Sequence, residues 1–392
     1  MKQWLVNKIG FIIIICTTIF GIVLYEPLAI NLIDEITLLI LFCFYFIISL
    51  THNGSIGKGL FVFLVVFLFY FFYSLVINVT VPAAVLADFL QQAKPYLAFF
   101  SFYYLGVSFS KKQGQILRFT VLTLFSVLVI ASMLGVLDLF FGHPTTFATC
   151  CFSLSILYYT FNHSKKSDLL ISIIILSLGL LSGRSKFYGI FIIASFVLLF
   201  VRHRIVLSFR TLIISLFVFV VVVIAAWSKL NLYVVEGFSS DWIARPVLYK
   251  NAVNVLNDYF PFGSGFGTYG NEASRDFYSP LYYKYDLYKV WGLSPSYDKF
   301  VADTFFPVLS QFGYIGIMLF VVFWYRLWKL VDYKSLAEKI VEYKIGLIII
   351  AFFLIESIAD TTIVSHRGLL PMMILGYVLS PKRASQLTAE ID

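Results

Sequence analysis

The chain has 392 residues, of which 60% are hydrophobic and only 13% are charged, and its mean hydropathy is +0.90. A single water-soluble core cannot bury so many apolar side chains, so the composition excludes a soluble globular protein and predicts an all-α, polytopic integral membrane protein. The formal net charge is +8. In a soluble protein this charge would favour nucleic acid, but most of the basic residues lie in short turns between apolar runs, so no nucleic-acid partner is expected.

Apolar runs that approach the roughly 17–25 residues of a membrane-spanning helix recur along the whole chain. They predict about twelve transmembrane helices in a single membrane domain, residues 1–392. Their approximate ranges are 9–30, 35–51, 59–78, 87–108, 116–140, 145–162, 168–183, 185–201, 210–228, 304–327, 344–361 and 366–381. The first run follows a basic N-terminus, as in a secretory signal, but no small-x-small cleavage site follows it near Pro27, so we interpret it as a retained helix.

The segments that connect these runs alternate between basic and non-basic. The basic segments are 326–344 and those that hold the following residues: Lys2, Lys8, Lys58, Lys111, Lys112, Arg118, Lys165, Lys166, Arg202, Arg204, Arg210, Lys382 and Arg383. By the positive-inside rule they face the cytoplasm, and an even number of spans places both termini there. Residues 228–303 form one long connection on the opposite, external face, where we expect part of the active site.

This external loop is predicted to contain short helices. Residues 239–241 supply candidate N-caps, and Trp242 to Leu256 has the pattern of an amphipathic helix that ends near Pro261. The glycines that follow, Gly263, Gly265 and Gly267, would let backbone amides approach an anion such as phosphate. A flexible turn that returns the chain to the membrane is the alternative.

The stretch 271–299 is dense in Tyr and in charged residues, including Arg275 and Tyr282. Aromatic rings stack on sugar rings, and Tyr, Asp and Lys bind hydroxyl groups, so this composition favours contact with a glycan. Tyr and Trp are also enriched at membrane interfaces without any ligand, and an aromatic belt remains the alternative.

Further cations are predicted on the external face. Arg184 and Lys186 lie in the turn between the seventh and eighth spans, and Arg367 follows His366 in the last external turn. Lys94 lies at the external end of the fourth span. Basic residues on this side favour an anionic ligand, although anchoring to lipid headgroups or snorkelling gives the same placement.

Two carboxylates, Glu356 and Asp360, are spaced i, i+4 near the external end of the eleventh span and could pair with these cations or hold the bundle together. The four cysteines, Cys16, Cys43, Cys150 and Cys151, fall in apolar runs and are interpreted as packing residues. No His and Asp cluster with metal-ligand spacing occurs on the external face, so neither a metal nor another cofactor is predicted.

Three short motifs in this order resemble the O-antigen ligase and O-antigen polymerase superfamily of multi-span GT-C glycosyltransferases. The first is the turn Leu-Ser-Gly-Arg184-Ser, and the second is the helix that begins Ala-Arg245-Pro with the glycine stretch 261–267. The third motif begins with Ala302 and Asp303, which are followed by nine residues and then by Gly-Tyr-Ile-Gly316. Ligases of the family typically have His at the position of Ala302. The missing His favours the polymerase branch.

The resemblance implies a donor in which a glycan repeat unit is linked to undecaprenyl diphosphate at the external (periplasmic) face of a bacterial inner membrane. It implies transfer without a metal, in which Arg184 and Arg245 stabilise the leaving diphosphate. Lys94, Lys186 and Arg367 are further candidates for this role. Asp303 is the candidate for orienting or deprotonating the acceptor, and His366 is the second candidate.

The function expected from these observations is polymerisation of glycan repeat units, with transfer of the glycan to lipid A-core by an O-antigen ligase as the alternative. A flippase or transporter of lipid-linked oligosaccharide is the alternative from another class. Membrane lipids are expected partners, and a chain-length regulator and a flippase are the protein partners compatible with a polymerase. Polar residues collect at the external ends of the spans, not at mid-membrane, which favours the enzyme.

Overall fold

The computed structural model describes residues 3–28, 33–51, 57–163, 165–206 and 242–381, together with a few isolated positions between 207 and 241. These ranges are helical and contain no β-strand, which confirms the all-α class. The longer helices, numbered in chain order, are α1 (Gln3–Thr18), α2 (Ile33–Thr51), α3 (Lys58–Ile77), α4 (Pro82–Leu105), α5 (Lys111–Met133), α6 (Pro144–Phe161), α7 (Lys166–Leu178), α8 (Ser185–Phe200), α9 (Ala244–Asp258), α10 (Gly313–Leu336), α11 (Ile340–Glu356) and α12 (His366–Leu379).

Helices occupy the predicted spans wherever the structure describes them, and the predicted span 210–228 lies almost wholly outside the described residues. Several boundaries differ from the predicted ones. The first helix begins at Gln3 and ends in a π-helical turn, Ile19–Val23, well before residue 30. The helix α10 follows a 3-10 segment, Phe306–Phe312, and continues to Leu336 through residues predicted as a cytoplasmic turn. No Gly or Pro occurs between Gly316 and Leu336, so the helical hydrogen bonds continue past the apolar run.

Within the part of the chain that the structure describes, four helical segments are long and apolar enough to cross a membrane by length and composition: Gln3–Val23, Lys58–Ile77, Lys111–Met133 and Phe306–Leu336. Their exposed side chains are largely apolar, for example Phe72, Phe119 and Met133, as expected for a surface that contacts lipid. The protein is therefore a multi-pass membrane protein, while the total of about twelve spans stays a prediction.

The centre of the bundle is formed by helices that bury nearly every residue. In α6 all side chains from Thr145 to Thr160 are buried, including the free thiols of Cys150 and Cys151, which confirms that this pair packs in the core. The helix α12 lies against α4 at a very short distance, because a Cβ atom at Gly376 would be 2.3 Å from the carbonyl oxygen of Phe99. Only a glycine permits this approach.

Residues 244–301 surround a small apolar core of their own. The helix α9 begins at Ala244 and ends at Asp258, so each end lies two residues later than predicted. Its N-cap residue is Ile243. The candidate N-caps at 239–241 lie outside the described residues. Two short helices, Glu272–Asp276 and Pro280–Lys284, follow α9 and confirm that this part of the chain contains short helices.

A buried carboxylate joins this segment to the helical bundle. Asp88 of α4 accepts hydrogen bonds from the backbone N of Gly267 at 2.8 Å, from Nε2 of Gln311 at 2.7 Å and from Nε2 of Gln92 at 3.1 Å. The hydroxyl of Ser74 in α3 accepts a further hydrogen bond from the backbone N of Phe266, at 2.8 Å. These contacts hold residues 244–301 on the ends of α3 and α4 and so fix the position of the site described next.

Candidate functional site

Two cations from different helices meet at one carboxylate. Asp360, in the turn after α11, contacts Nζ of Lys186 at 2.8 Å and Nη2 of Arg367 at 2.6 Å. Lys186 also contacts Glu356 at 2.7 Å, and the hydroxyl of Thr362 donates to Glu356 at 3.0 Å and to Asp360 at 3.1 Å. The predicted pairing of Glu356 and Asp360 with the cations of the neighbouring turns is therefore confirmed, with Lys186 and Arg367 as the partners.

A third cation arrives from the helix α9. Nε and Nη2 of Arg245 contact the same oxygen of Asp303, Oδ2, at 2.8 and 2.6 Å. Burial raises the pKa of the Asp303 carboxyl and Asp360 raises it further, while Arg245 and Lys186 lower it. Asp303 therefore lies within electrostatic reach of the carboxylate and the lysine of the first group.

Backbone contacts explain why these groups lie side by side. The backbone N of Phe305 donates to the carbonyl oxygen of Ser357 at 3.2 Å, and the hydroxyl of Thr361 donates to the carbonyl oxygen of Ala302 at 3.3 Å. The segment that carries Asp303 is thus attached to the turn that carries Asp360. The two ion-pair groups form one site because the two turns are joined.

The fourth cation, Arg184, stands at the N-cap of α8 after Gly183. Its Nη2 lies 2.8 Å from Nε2 of His143, which is the N-cap residue of α6. Within the described ranges no carboxylate forms an ion pair with Arg184. We call Arg184, Lys186, Arg245 and Arg367, with the carboxylates Asp303, Glu356 and Asp360, the cation cluster.

Lys94 is buried in α4. Its Nζ contacts Asp34 at 2.6 Å and also pairs with Glu35, both at the start of α2. The structure thus places Lys94 in an internal ion-pair group, not at a snorkelling position. This group adjoins the cation cluster through His366, which directly precedes Arg367 and whose ring stacks on Tyr25 with a centroid distance of 3.7 Å. The Nε2 atom of His366 is buried and has no hydrogen-bond partner among the described residues.

The glycine loop, residues 261–270, has its amides turned inward. The amides of Gly263, Gly265 and Gly267 donate to the carbonyl oxygen of Tyr259, the carbonyl oxygen of Gln311 and the carboxylate of Asp88, respectively. Each of the three glycines has a positive φ angle, and a Cβ atom at any of them would lie within 2.3–2.7 Å of a neighbouring atom. The loop is therefore a packing element, neither an open anion-binding nest nor a flexible turn.

Tyr282 and Arg275 also differ from the expectation of direct substrate contact. The Tyr282 side chain is fully buried, and its hydroxyl accepts from the backbone N of Gly270 at 2.8 Å. Arg275 forms ion pairs with Glu272 and with Asp276. Burial raises the pKa of Glu272, and the positive charge of Arg367 opposes this rise, so Glu272 lies near Arg367. Because Arg275 pairs with Glu272, it lies at the margin of the cluster. Other aromatic side chains of the stretch, Tyr283 and Trp291, are exposed.

A cavity of about 450 Å³ opens between α3, α4 and α10. It extends from Gly59 and Tyr104 at one end of these helices towards Phe266 and Phe312 at the other. Its walls are mainly apolar and aromatic, which suits a hydrocarbon chain better than a polar ligand.

The residue that the sequence analysis missed as part of the site is His143. It lies 41 positions from Arg184 along the chain, and no local pattern links the two. The available signal was that His143 and His366 are the histidines in predicted external turns. Among the described residues, no group of three or more His, Cys, Asp or Glu side chains has the arrangement of a metal site.

The fold and the site together define a multi-pass helical membrane protein with a cationic site beside a long loop. Residues 169–321 match a family model described as O-Antigen ligase. The resemblance to the O-antigen ligase and polymerase superfamily, whose members are glycosyltransferase-like enzymes, is thereby confirmed. The matched stretch contains Arg184, Lys186, Arg245 and Asp303, and the remaining cluster residues Glu356, Asp360 and Arg367 lie beyond it. No curated protein matches the chain.

Proposed function

We propose that this protein is a glycosyltransferase that polymerises glycan repeat units carried on undecaprenyl diphosphate, at the periplasmic face of a bacterial inner membrane. The observation that carries the proposal is the convergence of Arg184, Lys186, Arg245 and Arg367 from three distant segments. A diphosphate is the group in such a donor that several guanidinium and ammonium groups bind well.

The reaction follows from the charges in the cluster. A hydroxyl of the acceptor sugar attacks the anomeric carbon of the lipid-linked sugar, the bond from that carbon to the diphosphate oxygen breaks, and its electron pair stays on the diphosphate. Arg184 and Arg245, together with Lys186, stabilise the negative charge that develops there. Because these cations are held in place by the fold, little reorganisation is needed when the charge appears.

Asp303 is the group that we assign to the acceptor. Arg245 binds Oδ2 of Asp303 through two nitrogen atoms, and this orients the other oxygen, Oδ1, for a hydrogen bond from the acceptor hydroxyl. The side chain of Asp303 is 25% exposed, so it is accessible from outside. Burial raises the pKa of its carboxyl, which makes it a better proton acceptor than an ordinary aspartate.

The apolar cavity between α3, α4 and α10 is the place that we propose for part of the polyprenyl chain of the donor. Its length along the helices and its aromatic walls match a long hydrocarbon. A substrate with a diphosphate and a long chain would use both features of the molecule, whereas a soluble nucleotide sugar would use the cations alone.

Polymerase is preferred to ligase because position 302 is alanine. Its carbonyl oxygen accepts from Thr361 at 3.3 Å, and no imidazole stands at this position. The family description, O-Antigen ligase, favours the second candidate, transfer of finished glycan to lipid A-core. A transporter is less well supported, since the four cluster cations lie at helix ends and in loops.

A deletion strain separates these candidates by electrophoresis of its surface glycolipid. Loss of a polymerase leaves acceptor that carries one repeat unit, because transport and transfer continue without chain growth, and this is the result we expect. Bare acceptor with long lipid-linked chains at the external face would identify a ligase. Bare acceptor with single units retained inside would identify a flippase. For a secreted polysaccharide, the expected result is loss of high-mass polymer with single lipid-linked repeats retained.

A further inference from the structure

The contact between His143 and Arg184 sets the protonation of the imidazole. Nε2 of His143 lies 2.8 Å from Nη2 of Arg184, and Nδ1 lies 3.3 Å from the backbone N of Thr145. The guanidinium of Arg184 and the backbone N–H of Thr145 are both donors, and a neutral imidazole has only one acceptor nitrogen, so the two contacts compete. The shorter contact, which has a charged donor, is the stronger one; it takes the lone pair on Nε2 and leaves the ring proton on Nδ1. The contact at Nδ1 has a neutral donor and is 0.5 Å longer, so it is the weaker of the two.

The imidazole is therefore a neutral acceptor for Arg184. The other cations of the cluster meet carboxylates, Lys186 and Arg367 at Asp360 and Arg245 at Asp303. An ion pair fixes a guanidinium but also cancels much of its charge towards a ligand. A neutral acceptor fixes one N–H group and leaves both the charge and the remaining donors in place.

We propose that His143 is a positioning residue that holds the guanidinium of Arg184 as a neutral acceptor, so that Arg184 keeps its charge and its other N–H groups for the diphosphate of the donor. This inference rests on the proposed function. It also explains why Arg184, the arginine of the most family-like turn, has no described carboxylate partner.

The hold depends on pH because protonation of His143 places a second cation against Arg184. The charged groups around the imidazole come from four elements: Arg184 and Lys186 at the start of α8, Asp360 after α11, Arg367 in α12, and Glu26, whose carboxylate lies beside Gly142. Burial lowers the pKa of His143, and Arg184, Arg367 and Lys186 lower it further against the effect of Asp360. The hydrogen bond from Arg184 to His143 is thus present at neutral pH and is lost as the pH falls through this lowered pKa.

Two substitutions distinguish the role of Nε2 of His143 from that of Nδ1. His143→Gln keeps an acceptor oxygen near the position of Nε2, and His143→Asn keeps one near Nδ1, where Asn is a favourable N-cap for α6. The measurement is binding of farnesyl diphosphate to the detergent-solubilised full-length protein, with farnesol as the uncharged reference, at neutral and at acidic pH. We expect less than about a twofold loss of affinity for the Gln variant and about a tenfold loss for the Asn variant at neutral pH.

Lowering the pH should weaken binding in the wild-type protein by more than in His143→Gln, whose side chain does not titrate. An Asn variant with full affinity and a weakened Gln variant would show that His143 only caps α6. Equal losses at acidic pH in the wild type and in the Gln variant would show that another group titrates, and would contradict the proposed hold. A wild-type protein that binds farnesyl diphosphate no better than farnesol would instead contradict the proposed function.

Discussion

The cation cluster takes Arg184 and Arg245 from family-like motifs and the glycine loop belongs to one of them, yet the structure uses their hydrogen-bond donors in opposite ways. In the cluster, four cations surround three carboxylates, and the guanidinium of Arg184 contacts the imidazole of His143. In the glycine loop the amides of Gly263, Gly265 and Gly267 are already bound to oxygen atoms of the protein. A motif rich in hydrogen-bond donors binds an anion only where those donors are not already bonded to acceptors within the protein.

The difference follows from the charged groups that the loop and the cluster contact. The glycine loop covers Asp88, a buried carboxylate that would cost several kcal/mol if left without hydrogen-bond donors. The loop amide of Gly267 and the amide groups of Gln92 and Gln311 satisfy it. In the cluster the positive side chains outnumber the carboxylates, so positive charge remains for a ligand.

The strongest test of the cluster is the replacement of Arg184 or Arg245 by lysine. A lysine keeps the charge but loses the planar, two-donor geometry, and we expect polymer formation to fall by at least about 100-fold for either arginine, as it does when one preorganised donor is removed from an oxyanion site. The measurement is polymer on gels, with the amount of protein in the membrane measured in parallel. Arg204→Lys is the matched control, because Arg204 also binds a carboxylate through two nitrogen atoms, that of Asp332, outside the cluster. Full-length polymer from both cluster variants would mean that these arginines are anchors.

The matching test of the glycine loop is Gly267→Ala, compared with Gly135→Ala. Both glycines have φ near +70°, but a Cβ at Gly267 would lie 2.6 Å from the carbonyl oxygen of Ala84, while nothing lies within 4 Å of one at Gly135. Backbone strain of about 1 kcal/mol is common to both, and the clash adds about 1–3 kcal/mol at Gly267 alone. We expect thermal unfolding in detergent at a clearly lower temperature for Gly267→Ala. If the two variants were equally stable but Gly267→Ala no longer bound diphosphate, the result would identify the loop as a ligand site.

The smallest expected effect, Asp303→Asn, sharpens the role of the acid within the cluster. If Asp303 mainly orients the acceptor and anchors Arg245, the amide retains part of both contacts, and we expect about a tenfold loss of polymerisation rate with normal protein level. A loss of about 1,000-fold or more would instead identify Asp303 as an obligatory general base. A double substitution with Arg245→Lys tests whether the pair acts as a unit, since the two losses should then not add.

Much of the helical framework was predictable because it depends on local composition. Runs of apolar residues place the helices within a few residues, and the amphipathic segment 242–256 predicted α9, Ala244–Asp258. Charge patterning also singled out Arg184, Lys186 and Arg367, since cations on the predicted external face are unusual. The i, i+4 spacing of Glu356 and Asp360 predicted carboxylates able to pair with them, and the structure shows that pairing.

The contacts that only the tertiary structure decided join residues that are far apart in the chain. Lys94 binds Asp34 across 60 positions, Gly267 binds Asp88 across 179, and Lys186 binds Asp360 across 174. Local sequence carries the charge or the glycine but not the partner, because the partner depends on which helix ends pack together. Sequence alone therefore determined an all-α membrane protein and singled out its cations, while the fold decided that the glycines pack inward and that His143 stands beside Arg184.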